Sequence, residues 1–190
     1  MTNTSQIAEA VAGRAMGVFF VAGFGSIWMC TGLAALGHLT LLSGIGILIV
    51  LAALVLPAVQ LLRKTRKYKV EEADPERSRR IGRAFGWINT VQWIAIVAAI
   101  VLLNVFRQPD YIVPAIATIV GLHMLPLARL FEYPAHYLAG GLLVAYSAAT
   151  VLWLPKQQIP GPGAAGTAVI LFATAANSLL SAERAARRLP

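Results

Sequence analysis

The stretch that decides the fold is residues 39–62, which read LTLLSGIGILIVLAALVLPAVQLL. It contains no charged side chain, and it exceeds the roughly 20 apolar residues that an α-helix needs to cross a bilayer. Only a helix satisfies every backbone polar group within such a segment when water is absent. We therefore predict a membrane-spanning helix over residues 39–62.

The composition of the whole chain agrees with this segment. Of the 190 residues, 58% are hydrophobic and 13% are charged, whereas roughly a quarter of the residues of a soluble domain are charged. Lipid is therefore the main solvent of this protein. Six spans of roughly 20 residues would account for about 120 residues, which leaves no room for a second, soluble domain.

Five further apolar runs lie before and after residues 39–62 in the sequence. Turn residues separate several of them, namely Gly37-His38, the segment 107–110 and the proline- and glycine-rich segment 156–163, which a lipid-exposed helix would not tolerate. The sequence predicts an all-α, polytopic integral membrane protein with six transmembrane helices arranged as three hairpins. The predicted spans are 16–36, 39–62, 84–106, 111–131, 135–154 and 164–182, with a basic loop at 63–83 and a tail at 183–190.

The N-terminal segment 1–15 is polar to weakly amphipathic. Two interpretations fit it, a short surface helix and a frayed tail. The first span is too long for the apolar region of a signal peptide. We expect it to be retained.

The orientation follows from the distribution of Lys and Arg. If the six spans are correct, 14 of these residues lie on the side of the termini and only Arg107 and Lys156 lie on the other. The count predicts that both termini are cytoplasmic, in a membrane such as the bacterial inner membrane.

Two segments of the chain resemble each other at an offset of 69 residues. Gly13-Arg14-Ala15-Met16-Gly17 corresponds to Gly82-Arg83-Ala84-Phe85-Gly86, and Leu56-Pro57 corresponds to Leu125-Pro126. We interpret this as a parallel repeat of helices one-two and three-four. Chance similarity between apolar sequences is the alternative.

Glycines and prolines in these segments suggest architectural roles. Gly13 and Gly17, like Gly82 and Gly86, have the spacing that lets two membrane helices approach closely, and a homodimer is one partnership that such faces would allow. Pro57 and Pro126 are expected to kink their helices, because proline removes a helical hydrogen bond.

The basic loop is expected to lie on anionic lipid headgroups at the cytoplasmic side. Setting the topology is the alternative explanation for its charge. Because its basic residues lie beside apolar spans, nucleic acid is not an expected partner. The predicted lipid contacts are Arg63, Lys64, Arg66, Lys67, Lys69, Arg79, Arg80 and Arg83.

His123 is the main candidate for a functional side chain. It lies in the middle of the fourth span, where an ionisable group is expensive and usually faces the interior of the bundle. We predict one inward-facing polar site, and helix-to-helix hydrogen bonding by each residue separately is the alternative. The members of the predicted site are Asn89, Gln92, His123, Arg129, Glu132 and Asn177, with Arg129 and Glu132 spaced to pair on a helix.

The sequence predicts no metal, no cofactor and no catalytic residues. Cys30 is the single cysteine, and His38, His123 and His136 are expected at different depths. Phosphate-binding loops and catalytic motifs are absent. An enzyme acting on a lipid would require a second catalytic group beside His123, and none is evident.

Two functions remain in view. One is a small carrier or transporter of a small molecule or lipid, with a cytoplasm-facing polar site around His123. The other is a non-catalytic scaffold or assembly partner that packs through its glycine-rich faces. The absence of an acidic residue within the spans favours the second, because proton-coupled carriers commonly use one.

Overall fold

The computed structural model describes residues 4–68 and 75–190. The described ranges contain six α-helices, joined by short turns, three of which are 3₁₀-helical. The helices are α1 (Thr4–Ala35), α2 (Leu41–Thr65), α3 (Pro75–Val105), α4 (Ile112–Leu130), α5 (Ala135–Trp153) and α6 (Pro160–Ala186).

All six helices are long and apolar enough to cross a membrane. This confirms the prediction of an all-α, polytopic membrane protein. A chain of this length with six such helices has few residues left for loops.

Helix α6 is the centre of the bundle. It packs most extensively against α1 and also contacts α2, α4 and α5. The main apolar core joins α1, α2, α4, α5 and α6 around Val18, Leu143 and Leu171. Helix α3 packs chiefly against α4 and contributes no buried residue to that core.

The largest interfaces, α1 with α6 and α4 with α5, run between the predicted hairpins and not within them. The hairpin arrangement therefore stays a prediction. The repeat also stays a prediction, although α1 and α3 start and end at positions close to the 69-residue offset.

Small residues permit the closest helix contacts. A Cβ added at Gly32 of α1 would lie 2.6 Å from the backbone nitrogen of Ala165 in α6, and one added at Gly140 of α5 would lie 2.5 Å from the carbonyl oxygen of Gly121 in α4. Such distances exclude any side chain, so backbone meets backbone at both places.

The glycines predicted for close packing behave differently. A Cβ at Gly13, Gly17, Gly82 or Gly86 would meet no atom of the described residues within 4 Å. These glycines therefore contact no described helix of this chain, and the expectation that they let a neighbouring helix approach stays a prediction. Spacing alone does not show which way a face points, and these faces are open.

The first helix begins earlier in the chain than predicted. Helix α1 already begins at Thr4, and Ala8, Val11 and Ala12 are buried, so residues 4–15 are neither frayed nor a separate surface helix. Val11 packs with Ala182 and Ala186 of α6, and this contact stabilises the first turns of α1.

Two other helices start earlier than predicted because proline is tolerated in the first turn, where its missing N–H has no helical partner. Helix α6 starts at Pro160 and α3 starts at Pro75. Much of the predicted basic loop is thus helical, with Arg79, Arg80 and Arg83 on α3. Lys69 lies outside the described residues.

The loops that join the helices mark two ends of the bundle. At one end, Lys156 Nζ lies 3.9 Å from Asp110 Oδ2, which joins the α5–α6 turn to the α3–α4 turn. The other end, which we call the basic end, carries the starts of α1, α3 and α5 and the ends of α2, α4 and α6. There, Phe85 of α3 contacts Phe131 after α4, with ring centroids 5.9 Å apart.

Candidate functional site

A polar cluster joins α1, α6 and the α4–α5 turn at the basic end. The Arg14 guanidinium lies over the ring of Tyr133, 5.2 Å from its centroid, and Arg14 Nη1 donates to the backbone oxygen of Ser181 at 3.4 Å. We call it the Arg14 cluster. Its members are Arg14, Tyr133, His136, Asn177 and Ser181.

Tyr133 is the hub of the Arg14 cluster. Its hydroxyl donates to Ser181 Oγ at 3.3 Å and accepts from Asn177 Nδ2 at 3.2 Å. Its ring also meets that of His136 edge-on, with centroids 5.0 Å apart. One aromatic side chain therefore connects α1, α5 and α6.

The end of α4 sets the position of Tyr133. Glu132 has a φ of 50° and Tyr133 N donates to the oxygen of Ala128 at 2.9 Å, the bonding pattern with which helices commonly end. This pattern turns the chain out of the helix one residue before Tyr133. Pro134 then leads directly into α5.

The depth of the Arg14 cluster follows from the helical rise. Arg14 lies 21 residues before Ala35, the last residue of α1, which corresponds to roughly 31 Å at 1.5 Å per residue. The hydrocarbon layer is about 30 Å thick. Arg14 therefore lies near one boundary of the hydrocarbon, at the level of the headgroups.

His123 and His136 form a histidine pair between α4 and α5. His136 and the backbone of Ile88 in α3 are neighbours of the His123 imidazole. His136 lies in the first turn of α5 and His123 lies a turn or more before the end of α4, so the different depths expected for the histidines stay a prediction. Within the described residues, Nδ1 of each ring is buried and has no hydrogen-bond partner.

The predicted polar site is assembled only in part. His123 and Asn177 belong to the histidine pair and the Arg14 cluster. Asn89 and Gln92 are half-buried on α3, and Gln92 shares the stripe that contains Ile88 and the buried Ile96. Neither amide makes a hydrogen bond within the described ranges.

Arg129 and Glu132 do not enter the cluster. Both are exposed at the end of α4. Helix α4 ends at Leu130 and Glu132 has left-handed backbone geometry, so the two residues do not lie on one helix, and their pairing stays a prediction. Pro57 and Pro126 lie inside α2 and α4 as expected.

Sequence reasoning missed Tyr133 and did not include Arg14 in the site. Tyr133 stands between Glu132 and Pro134, in a run typical of a turn. Arg14 was interpreted as a snorkelling side chain of the repeat. An aromatic residue next to a proline at a headgroup boundary is the signal that could have identified the hub.

A concave surface lies far from these residues. It is a groove of about 650 Å³ between α1 and α2, near the end opposite the basic end. The hydroxyls of Ser26 and Thr31 on its wall donate to carbonyls of their own helix, at 2.9 Å and 3.0 Å. The groove therefore offers an apolar surface and little for a polar ligand.

Among the described residues, no group of three or more His, Cys, Asp and Glu side chains is arranged to hold a metal ion. The histidine pair supplies two nitrogen ligands at most. The arrangement is better suited to hydrogen bonding of a ligand than to metal coordination.

Residues 8–180 match a family of unknown function, DUF7010. Since the match spans most of the chain, the protein belongs to this family. Comparison with curated proteins finds no match. Comparison with solved structures finds none either.

Proposed function

We propose that this protein is a small membrane carrier that binds a small molecule or a lipid beside the histidine pair and opens toward its basic end. The observation that carries the proposal is the pair of Nδ1 atoms of His123 and His136, both buried without a hydrogen-bond partner among the described residues. An unpaired polar atom away from water is costly. A ligand, or a second conformation of the bundle, would provide the missing partner.

The loose attachment of α3 supports this proposal. Helix α3 packs chiefly against α4, while α1 and α6 form the main part of the core. A shift of α3 would therefore expose the region of Ile88 and His123 without disturbing the largest interface. Polar groups inside membrane bundles commonly mark such pathways.

The positive-inside rule places the basic end, with both termini, in the cytoplasm. The proposed carrier thus loads or releases its ligand on the cytoplasmic side. A bacterial inner membrane is the expected location. The basic residues flanking α2 and on the first turns of α3 would rest on anionic headgroups there.

Reconstituted vesicles test the carrier. Uptake of a defined mixture of metabolites is followed by mass spectrometry, and translocation of fluorescent phospholipids by dithionite quenching. His123→Ala should abolish the flux, while His38→Ala, an exposed histidine at the opposite end, should leave it unchanged. Unchanged flux in His123→Ala, whatever its thermal stability, would rule out a functional role for His123.

A scaffold is the second candidate, and the open glycine faces favour it. Gly82 and Gly86 are exposed on α3, and Thr90 continues the same four-residue spacing. A second copy of the chain, or another membrane protein, would fit such a face. Gly86→Leu should then abolish cross-linked dimers in membranes, and Gly141→Leu, also at an open position, should not.

A further inference from the structure

The guanidinium of Arg14 has no acidic partner among the described residues. No carboxylate oxygen of these residues lies within 4.0 Å of it, and its contacts there are the Ser181 backbone oxygen and the Tyr133 ring. A guanidinium has five N–H donors. Most of them remain available, although Arg14 is half-buried and held in place.

Further donors surround this guanidinium. Tyr133 holds both Asn177 and Ser181 by hydrogen bonds, so the amide of Asn177 and the hydroxyl of Ser181 are fixed near Arg14. Because Ser181 Oγ accepts from Tyr133, its own proton is free to be donated. Within residues 4–68 and 75–190, the Arg14 cluster thus combines a cation that has no carboxylate partner with neutral donors from a second helix.

The depth of the cluster indicates what it meets. The helical rise places the cluster at the level of the headgroups. His136 lies at the same level, at the start of α5, and His123 of α4 lies deeper in the membrane. An anion bound at Arg14 would therefore stand at the entrance to the region between α4 and α5. Guanidinium forks match phosphate oxygens with two parallel hydrogen bonds.

We infer that the Arg14 cluster binds the phosphate group of an anionic ligand, with Arg14 as the charged donor and Asn177 and Ser181 as neutral donors. This inference rests on the proposed carrier function and names the chemistry of its ligand. A phospholipid headgroup and a soluble phosphate ester share this chemistry. Tyr133 is a positioning residue, since it orients the donors from beneath the guanidinium.

Binding is tested on the delipidated, full-length protein in detergent. Native mass spectrometry measures the binding of phosphatidylglycerol and of phosphatidylcholine, and thermal unfolding measures stabilisation by inorganic phosphate and by glycerol 3-phosphate. The variants are Arg14→Gln, Arg14→Lys and Arg187→Gln. Arg187 follows α6 at the same end of the bundle, is exposed and is not among the predicted lipid contacts, so it is the control.

The expected result is that Arg14→Gln weakens binding of the phosphate-bearing probe about tenfold, as loss of a charge-assisted hydrogen bond would. Arg187→Gln should have affinity within about twofold of the original, and Arg14→Lys should fall between the two. Preference for phosphatidylglycerol identifies a lipid ligand, whereas stabilisation by glycerol 3-phosphate without lipid preference identifies a soluble one.

Equal losses in Arg14→Gln and Arg187→Gln, or binding of neither probe, would overturn the inference. If Arg14→Gln does not fold, Asn177→Ala replaces it, because Asn177 is exposed. A loss of about threefold or more in that variant supports the site, and unchanged affinity refutes it.

Because binding is measured without measuring transport, the experiments can refute either proposal without refuting the other. If the protein binds phosphate through Arg14 but transports nothing, the proposed carrier function is refuted and the proposed phosphate site stands. A protein that transports, with binding independent of Arg14, refutes the site and leaves the carrier.

Discussion

At the scale of single residues, the tightest contacts of this protein are made by glycines that sequence spacing did not single out. Gly121 and Gly140 face each other across α4 and α5, and a Cβ at either one would lie within 3 Å of the other's carbonyl oxygen. Lipid provides no hydrophobic force between helices, so close backbone packing is a main source of their association.

Two neighbouring glycines of α5 make this testable. Gly140→Ala should destabilise the protein by about 1–3 kcal/mol, since backbone would have to move. Gly141→Ala, with no described atom within 4 Å of the new Cβ, should be neutral or stabilising by up to about 1 kcal/mol because alanine favours helix. Unfolding in mixed micelles measures both, and equal effects would contradict the packing of α4 on α5.

Tyr146 provides a second test at this scale. Its hydroxyl donates to the Pro162 oxygen at 2.8 Å and joins α5 to the start of α6. Tyr146→Phe should destabilise the protein by about 0.5–1 kcal/mol, the usual size of a hydrogen bond between membrane helices. Tyr137→Phe, at an exposed position of the same helix, should change the unfolding free energy little.

Residues of the candidate site could be predicted from the sequence only where a polar side chain lies within an apolar span, because such side chains are unusual in a membrane helix. His123 and Asn177 were found in this way. Tyr133 was not, because a tyrosine in a turn carries no such penalty and its role depends on how α4 ends. Arg14 was noted only as part of the repeated motif, because the residues next to it in the sequence do not indicate that Ser181 of α6 lies beside it.

At the scale of the helices, α6 begins earlier in the chain than predicted and carries a surface of small residues. Alanines recur along its buried side, where α1 packs, and the hydroxyl of Thr174 bonds within the helix, to the Ile170 oxygen at 2.8 Å. Close packing and not cross-helix hydrogen bonding therefore dominates this interface.

A pair of substitutions on α6 tests this arrangement. Ala175→Leu, at a fully buried position, should destabilise the bundle by about 1–3 kcal/mol through overpacking. Ala173→Leu, on the exposed side, should be tolerated because the new side chain meets lipid. The free energy of unfolding is the measurement, and a neutral Ala175→Leu would be inconsistent with α6 as the central helix.

Hydropathy predicted the existence of all six helices, because every span must shield its own backbone from lipid. It did not predict their ends or partners. Pro160 and Pro75 suggested loops but start helices, and the contact between Thr4–Ala35 and Pro160–Ala186 leaves no periodic pattern. Lipid and protein surfaces are both apolar, so the pattern that identifies a buried face in a soluble protein is weak here.

At the scale of the whole molecule, the bundle has a basic end and an opposite end with few charges. Labelling tests the resulting topology. In a Cys30→Ser background, Gln157→Cys should react with a membrane-impermeant maleimide in intact cells, and Arg187→Cys should react only after permeabilisation, because positive charge stays in the cytoplasm. Both residues are exposed. The reverse pattern would invert the orientation and place the Arg14 cluster outside.

The pairing of α1 with α6 also has a consequence for biogenesis. Helix α1 leaves the ribosome before its partner α6, and roughly 130 residues separate Gly32 from Ala165, which represents on the order of ten seconds of synthesis. During this interval α1 waits in the membrane with its α6-facing side covered only by lipid, by α2 or by an insertion factor. Nascent chains stalled before α6 should therefore be the species most exposed to membrane proteases, and the release of α6 should end that vulnerability.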